Sequence, residues 1–162
     1  MDVMMKYLIA VAAVILLASC AKRPTSAEMV SNFEENKATF AMIASLACDI
    51  GKHQNSQRYT IRGGSESEDA LLDLADTVDV EQIVYVAGEK KCVLDMPVWE
   101  SDEAMPEQLS YRYNLVEQEN VFLNRDKFEH AFSELQNKAG KIKHAHLKLT
   151  KRWAFSAFKH AS

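Results

Sequence analysis

The apolar run from Tyr7 to Leu17, preceded by Lys6 and followed at once by Ala18-Ser19-Cys20, decides how much of this 162-residue chain has to fold. About 11 residues at 1.5 Å each reach roughly half way across a hydrocarbon core, so the segment is too short for a stable membrane span and reads as a targeting segment that is removed. Asp2 is out of place in the basic start such a segment has, and Met4 or Met5 before Lys6 would make a more usual initiation point. Removing the segment leaves about 140 residues, and the whole chain is 48% hydrophobic and 26% charged. That is the size and composition of one globular domain with a real core. A formal net charge of -4 offers no basic balance, so a nucleic-acid partner is not expected.

Leu17-Ala18-Ser19-Cys20 resembles the lipobox that closes the signal peptide of bacterial lipoproteins, and the resemblance covers this segment alone. It implies a diacylglyceryl group on the thiol of Cys20, cleavage of the Ser19–Cys20 bond, acylation of the new amino terminus and attachment to the lipid bilayer through Cys20. The chain then divides into a cleaved signal peptide over 1–19, a lipidated N-terminus and short tether over 20–26, broken by Pro24, and a single globular domain over 27–162. Several acyl chains, at about 0.8 kcal/mol per buried CH₂, make such attachment effectively permanent. Ala21, where an aspartate favours retention in the inner membrane, implies the outer membrane, facing the periplasm.

With Cys20 taken by lipid, Cys48 and Cys92 remain, and two thiols in an oxidising compartment are most simply a disulfide. No CxxC spacing supports a metal-binding or redox-reactive pair instead.

Thr25-Ser26-Ala27-Glu28 fits a capping box, and Met29, Phe33, Phe40, Ile43, Ala47 and Ile50 recur at helical spacing after it. A long helix is predicted, interrupted by a solvated turn at Glu34–Lys37 and stopped by Gly51, with Cys48 in its last turns. Arg58–Arg62 alternates as a short strand ended by Gly63-Gly64, and either Ser65 with Glu68 or Ser67 with Ala70 can open a short helix. Glu81–Ala87 and Lys91–Trp99 read as an antiparallel hairpin around Gly88-Glu89-Lys90, with Pro97 marking an edge or a bulge, and Ser101–Gln108 as a loop. Ser110–Val116 carries the cleanest alternation, with Tyr111, Tyr113 and Leu115 on one face. Asn124 caps a second amphipathic helix with Phe128, Ala131, Phe132 and Leu135 inward and Gly140 at its end, and Lys141–Phe158 reads as one bent strand or a hairpin. The fold class predicted is α+β: a mainly antiparallel sheet with two amphipathic helices packed on one face and one disulfide.

Chemical motifs are sparse. The chain has no GxSxG, no phosphate-binding glycine loop with lysine, no HExxH and no dinucleotide fingerprint, so no enzyme and no cofactor is predicted. His144-Ala145-His146 is the most suggestive grouping, because residues two apart on a strand share a face and two imidazoles can share a metal, with His130 or His160 as a third ligand. Lys143 and Lys148 oppose a cation there and no carboxylate is adjacent in sequence, so a solvent-exposed basic strand is preferred.

Charge is segregated: carboxylates dominate Ser65–Gln108, whereas Lys141, Lys143, Lys148, Lys151, Arg152 and Lys159 populate a tail without acidic side chains. The two segments can lie side by side and partly neutralise each other or simply be solvated faces, the preferred reading, or one can meet a charged partner such as anionic lipid, a cell-wall polymer or another envelope protein. Trp99, Tyr111, Tyr113, Trp153, Phe155 and Phe158 are read chiefly as core, with a ligand groove as the alternative and Trp99 the least settled. The functional expectation is a membrane-anchored periplasmic lipoprotein acting as a non-catalytic binding or assembly module of the cell envelope, with an envelope protein or cell-wall partner. The alternatives are a small metal-binding protein or enzyme using His144 and His146, and a carrier with an apolar cavity.

Overall fold

Thr25 starts the regular structure in the way its sequence context dictates. The computed structural model describes residues 22–89, 91–103, 106–117, 119–136 and 143–159. Cys20, the rest of the lipobox, Gly140, Lys141 and His160 lie outside them. The Thr25 hydroxyl accepts from the Glu28 amide at 3.2 Å and the Thr25 amide donates to the Glu28 carboxylate at 2.7 Å, closing the capping box of α1 (Ser26–Glu35). The chain then breaks at Asn36 and continues as α2 (Lys37–Lys52), so the anticipated long helix is two helices hinged at the polar turn. α2 runs one residue past Gly51, whose role is close approach rather than termination: it is buried against the ring of Tyr85, and a Cβ there would fall inside that ring's van der Waals envelope.

β1 (Arg58–Ile61) ends at Gly63 and Gly64, which take φ of +83° and +103°, a region L side chains rarely adopt. Ser65 accepts from the Glu68 amide at 3.3 Å and opens α3 (Glu66–Asp76). β2 (Ile83–Ala87) and β3 (Cys92–Glu100) form the anticipated hairpin. Pro97 sits on an interior strand, and the register with the next strand shifts between Pro97 and Trp99, so the proline marks a bulge rather than an edge. β4 is Glu107–Tyr113, beginning inside the predicted loop and ending before Leu115, because Asn114 turns the backbone left-handed at φ 53°. β5 (Val121–Phe122) has too few residues to leave a periodic signal. α4 (Arg125–Gln136) is capped by Asn124, whose Oδ1 accepts from the amides of Asp126 (2.8 Å) and Lys127 (3.2 Å). β6 (His144–Lys148) and β7 (Trp153–Lys159) resolve the final segment as a hairpin.

The strands form one seven-stranded sheet in the order β1-β2-β3-β4-β7-β6-β5, antiparallel except for the β5–β6 pair. The predicted class, α+β with a mainly antiparallel sheet and one disulfide, is the architecture found, with four helices. Alternation along the strands sends Leu94, Met96, Leu109, Tyr111, Phe155 and Leu147 towards the helices, where they meet Phe33, Phe40, Ile43 and Phe128. Phe40 stands edge-on to Tyr111 and Trp153 at centroid distances of 4.6 and 5.4 Å, so the predicted stripe of α1 and α2 is core. The buried Tyr111 hydroxyl is satisfied by donating to Met29 O at 2.7 Å, and burial pushes its pKa up.

Candidate functional site

The opposite sheet face carries the residues that alternation turns away from the helices, and several of them are polar. His144 and His146 share this face as predicted, with ring centres 5.2 Å apart. The expected solvent exposure is corrected: His146 is fully buried and His144 half-buried, because Phe158 stands edge-on to His146 at 5.4 Å and the segment between Asn114 and Asn120 crosses from β4 to β5 nearby. That segment begins and ends on asparagines at φ 53°, and Asn120 O accepts from the His146 amide at 2.9 Å. The expectation that no carboxylate stands near is also corrected, since the crossing brings in Glu117.

Arg112 is the centre of this cluster. Its guanidinium lies 3.5 Å from Asp95 Oδ2, 3.1 Å from Glu117 Oε1 and 4.9 Å from the centre of the Phe158 ring. Burial would raise the Glu117 carboxyl, but backbone hydrogen bonding and the charge of Arg112 outweigh it and hold the group below its ordinary value. Arg112→Met would leave two carboxylates sharing a partly buried site with no cation. Because Arg112 and Asp95 remain 14% exposed, the expected loss is about 2 kcal/mol, below the range for fully buried pairs, read as a drop in the urea midpoint. An unchanged midpoint would mean the pair is screened by water.

His146 Nδ1 and Ser156 Oγ are 2.7 Å apart, the contact a nucleophile and its base make, yet both residues are sealed at 0% exposure. No substrate atom reaches that hydroxyl without displacing the covering side chains. Among the described residues no group of three or more His, Cys, Asp or Glu is placed to hold a metal ion. His130 is on the solvent side of α4, 3.4 Å from Glu134, and does not join His144 and His146.

A second site lies at the end of the sheet where β3 begins and β4 ends. A groove of about 1080 Å³ opens between α2, the β2–β3 turn and the β6–β7 turn. Buried Tyr85 and Trp153 and half-buried Tyr113 line it, together with the Cys48–Cys92 disulfide, whose Cα atoms are 5.7 Å apart. Lys52, Lys91, Lys151 and Arg152 stand around it, all exposed, and among the described residues no carboxylate residue lines it. Arg152 Nη1 donates to the Tyr113 hydroxyl at 2.9 Å, and Asn114 fixes the floor by donating to Arg152 O and, through Nδ2, to Cys92 O, both at 2.7 Å.

This groove is where the segregated charges of the sequence become geometry. Among the described residues none of the four cations makes an ion pair, and no cation of the tail forms a direct ion pair with a carboxylate of Ser65–Gln108, although β4 and β7 lie side by side with Glu107 opposite Lys159. The basic tail marks Lys151 and Arg152, but Lys52 and Lys91 lie far from it in sequence, and the disulfide and the hairpin turns bring them to the same opening. Of the aromatic candidates, Tyr111 and Phe155 are core and Trp153 is buried, Tyr113 and Trp153 also line the groove, Phe158 covers the polar face, and Trp99 is half-buried beside Arg23. Among the described residues no helix is long and apolar enough to cross a membrane. No protein family, no curated protein and no solved structure matches this chain, so any functional assignment rests on its own residues.

Proposed function

We propose that the chain is a membrane-anchored periplasmic lipoprotein of the outer membrane, lipidated at Cys20, whose domain acts as a non-catalytic binding module of the cell envelope and takes an acidic segment of a protein partner in the groove at the end of the sheet. The observation that carries this reading is the set of four exposed cations, Lys52, Lys91, Lys151 and Arg152, around an aromatic-lined groove without a carboxylate. Like charges gathered with no internal counter-charge repel one another, and an anionic ligand relieves that repulsion while steering itself to the site. Aromatic walls add apolar contact for side chains between the acidic residues. The lipobox pattern Leu17-Ala18-Ser19-Cys20 supports the anchor. The alternative, metal or catalytic chemistry at His144 and His146, has no comparable support, because the adjacent Ser156 and His146 are closed to solvent.

The test uses a synthetic peptide of alternating glutamate and tyrosine, titrated against the protein by calorimetry at low and at physiological salt. Exposed charge pairs are screened within roughly 8 Å at physiological ionic strength, so affinity is expected to fall as salt rises. Replacing Lys52, Lys91, Lys151 and Arg152 together by glutamine is expected to weaken binding by at least about tenfold, or roughly 1.4 kcal/mol. Equal affinity of the variant, or no binding to the unaltered protein, would remove the groove from this role.

A further inference from the structure

The segment that joins the anchor to the domain is not a free spacer. Arg23 pairs with the Glu107 carboxylate, and its guanidinium lies 4.3 Å from the centre of the Phe132 ring and 5.7 Å from that of Trp99. Thr25 opens α1 two residues later, and the Ser26 hydroxyl donates to Glu129. The chain is therefore fixed to the domain from Arg23 onward. Cys20 stands three residues before Arg23, and three residues reach at most about 10 Å.

Glu107 begins β4 and is paired with Lys159 at the end of β7, whereas Tyr113 and Trp153 pair at the other end of the same two strands, where the groove opens. Six residue steps separate the two ends, about 20 Å at the usual rise of an antiparallel strand. A tether of half that length, clamped at the Glu107 end, keeps that end within about 10 Å of the bilayer, whereas the groove end can lie up to about 20 Å farther out. We infer that the Arg23 clamp holds the domain upright on the membrane with its basic groove turned outward, so that the groove meets an acidic protein segment from across the compartment and not the anionic headgroups beneath it. This rests on the lipoprotein reading, since the clamp orients the domain only if Cys20 is anchored.

The two tryptophans of the chain are placed to test it, Trp99 beside Arg23 and Trp153 in the groove. The lipidated protein is reconstituted in vesicles containing phosphatidylglycerol and a headgroup spin-label quencher, as Trp153→Phe to report Trp99 and as Trp99→Phe to report Trp153. Trp99 pairs with Leu109 and Trp153 with Tyr113, four residue steps apart, so quenching of Trp99 is expected to exceed that of Trp153 about twofold or more, given the roughly 14 Å separation along the strands. Arg23→Ala is expected to shrink that contrast. Equal quenching, stronger quenching of Trp153, or a contrast indifferent to Arg23→Ala would overturn the orientation. A Cys20→Ser control separates this from failure of the anchor: if unaltered protein and control are both left in the supernatant when vesicles are pelleted, the lipoprotein reading itself is lost.

Discussion

Reducing the Cys48–Cys92 disulfide is expected to lower the free energy of unfolding by about 4 kcal/mol, the chain-entropy value for a cross-link closing a loop with a sequence separation of 44. The bond ties the last turns of α2 to the first residue of β3, two elements separated by β1, α3 and β2, so the reduced unfolded chain regains the freedom of that whole stretch. For a domain of this size the loss corresponds to a fall in Tm of roughly 10–15 °C. Thermal unfolding followed by circular dichroism with and without reductant measures it, and a Cys48→Ala, Cys92→Ala double variant should match the reduced protein. A Tm insensitive to both would mean that residual structure already restricts the reduced unfolded chain.

Acid is expected to weaken the fold through His146. Burial is the main cause of its pKa being lowered from 6.5 to about 4, the positive charges of His144 and Arg112 add to the effect, and Glu117 opposes it. A histidine whose folded pKa is depressed binds its proton more readily in the unfolded chain. Its stabilising contribution is therefore complete above about pH 6.5 and is lost as the pH falls from there towards 4. The difference is worth about 3 kcal/mol across that window. Urea unfolding at a series of pH values should show the slope, and His146→Gln, which keeps a polar group near Ser156, should flatten it between pH 6.5 and 4. Glu117, held below its ordinary value, adds its own loss as the pH falls below that value, so some acid sensitivity is expected to remain in the variant. A slope unchanged by His146→Gln would assign the acid sensitivity to other groups.

Local signals are legible in the sequence where the chemistry acts over a few residues. The capping box at Thr25, the Ser65 and Asn124 caps, the hairpin around Gly88 and the apolar stripes of α1, α2 and α4 each depend on spacing along one element, and the structure places them where spacing puts them. The disulfide follows from a count of thiols once Cys20 is assigned to lipid. What spacing cannot convey is which elements become neighbours. Alternation carries the strand of Tyr113 on into Leu115, but the strand stops because Asn114 turns left-handed to bind Arg152 and Cys92, partners remote in sequence. Period-two spacing puts His144 and His146 on one face, while the cover of His146 by Phe158 and the nearby charge of Glu117, carried in by the crossing from β4 to β5, depend on remote parts of the chain. The groove is half legible: the basic tail marks Lys151 and Arg152, but Lys52 lies at a helix end and Lys91 in a turn, and nothing periodic links them.

The strand order also dictates how the molecule can be assembled in time. β1 to β4 pair with their neighbours in sequence, so this half can zip up before the rest of the chain is in place. β7 then has to find β4 after β5, α4 and β6 have been made, and its Trp153 completes the aromatic cluster with Phe33 and Phe40 from the first helices. The seam between β4 and β7 is thus a joint between an early and a late folding unit. Until it closes, the edge of β4 offers unpaired backbone donors and acceptors to any other extended chain. The interval before β7 docks is therefore the window in which a folding helper or a second copy competes for that edge.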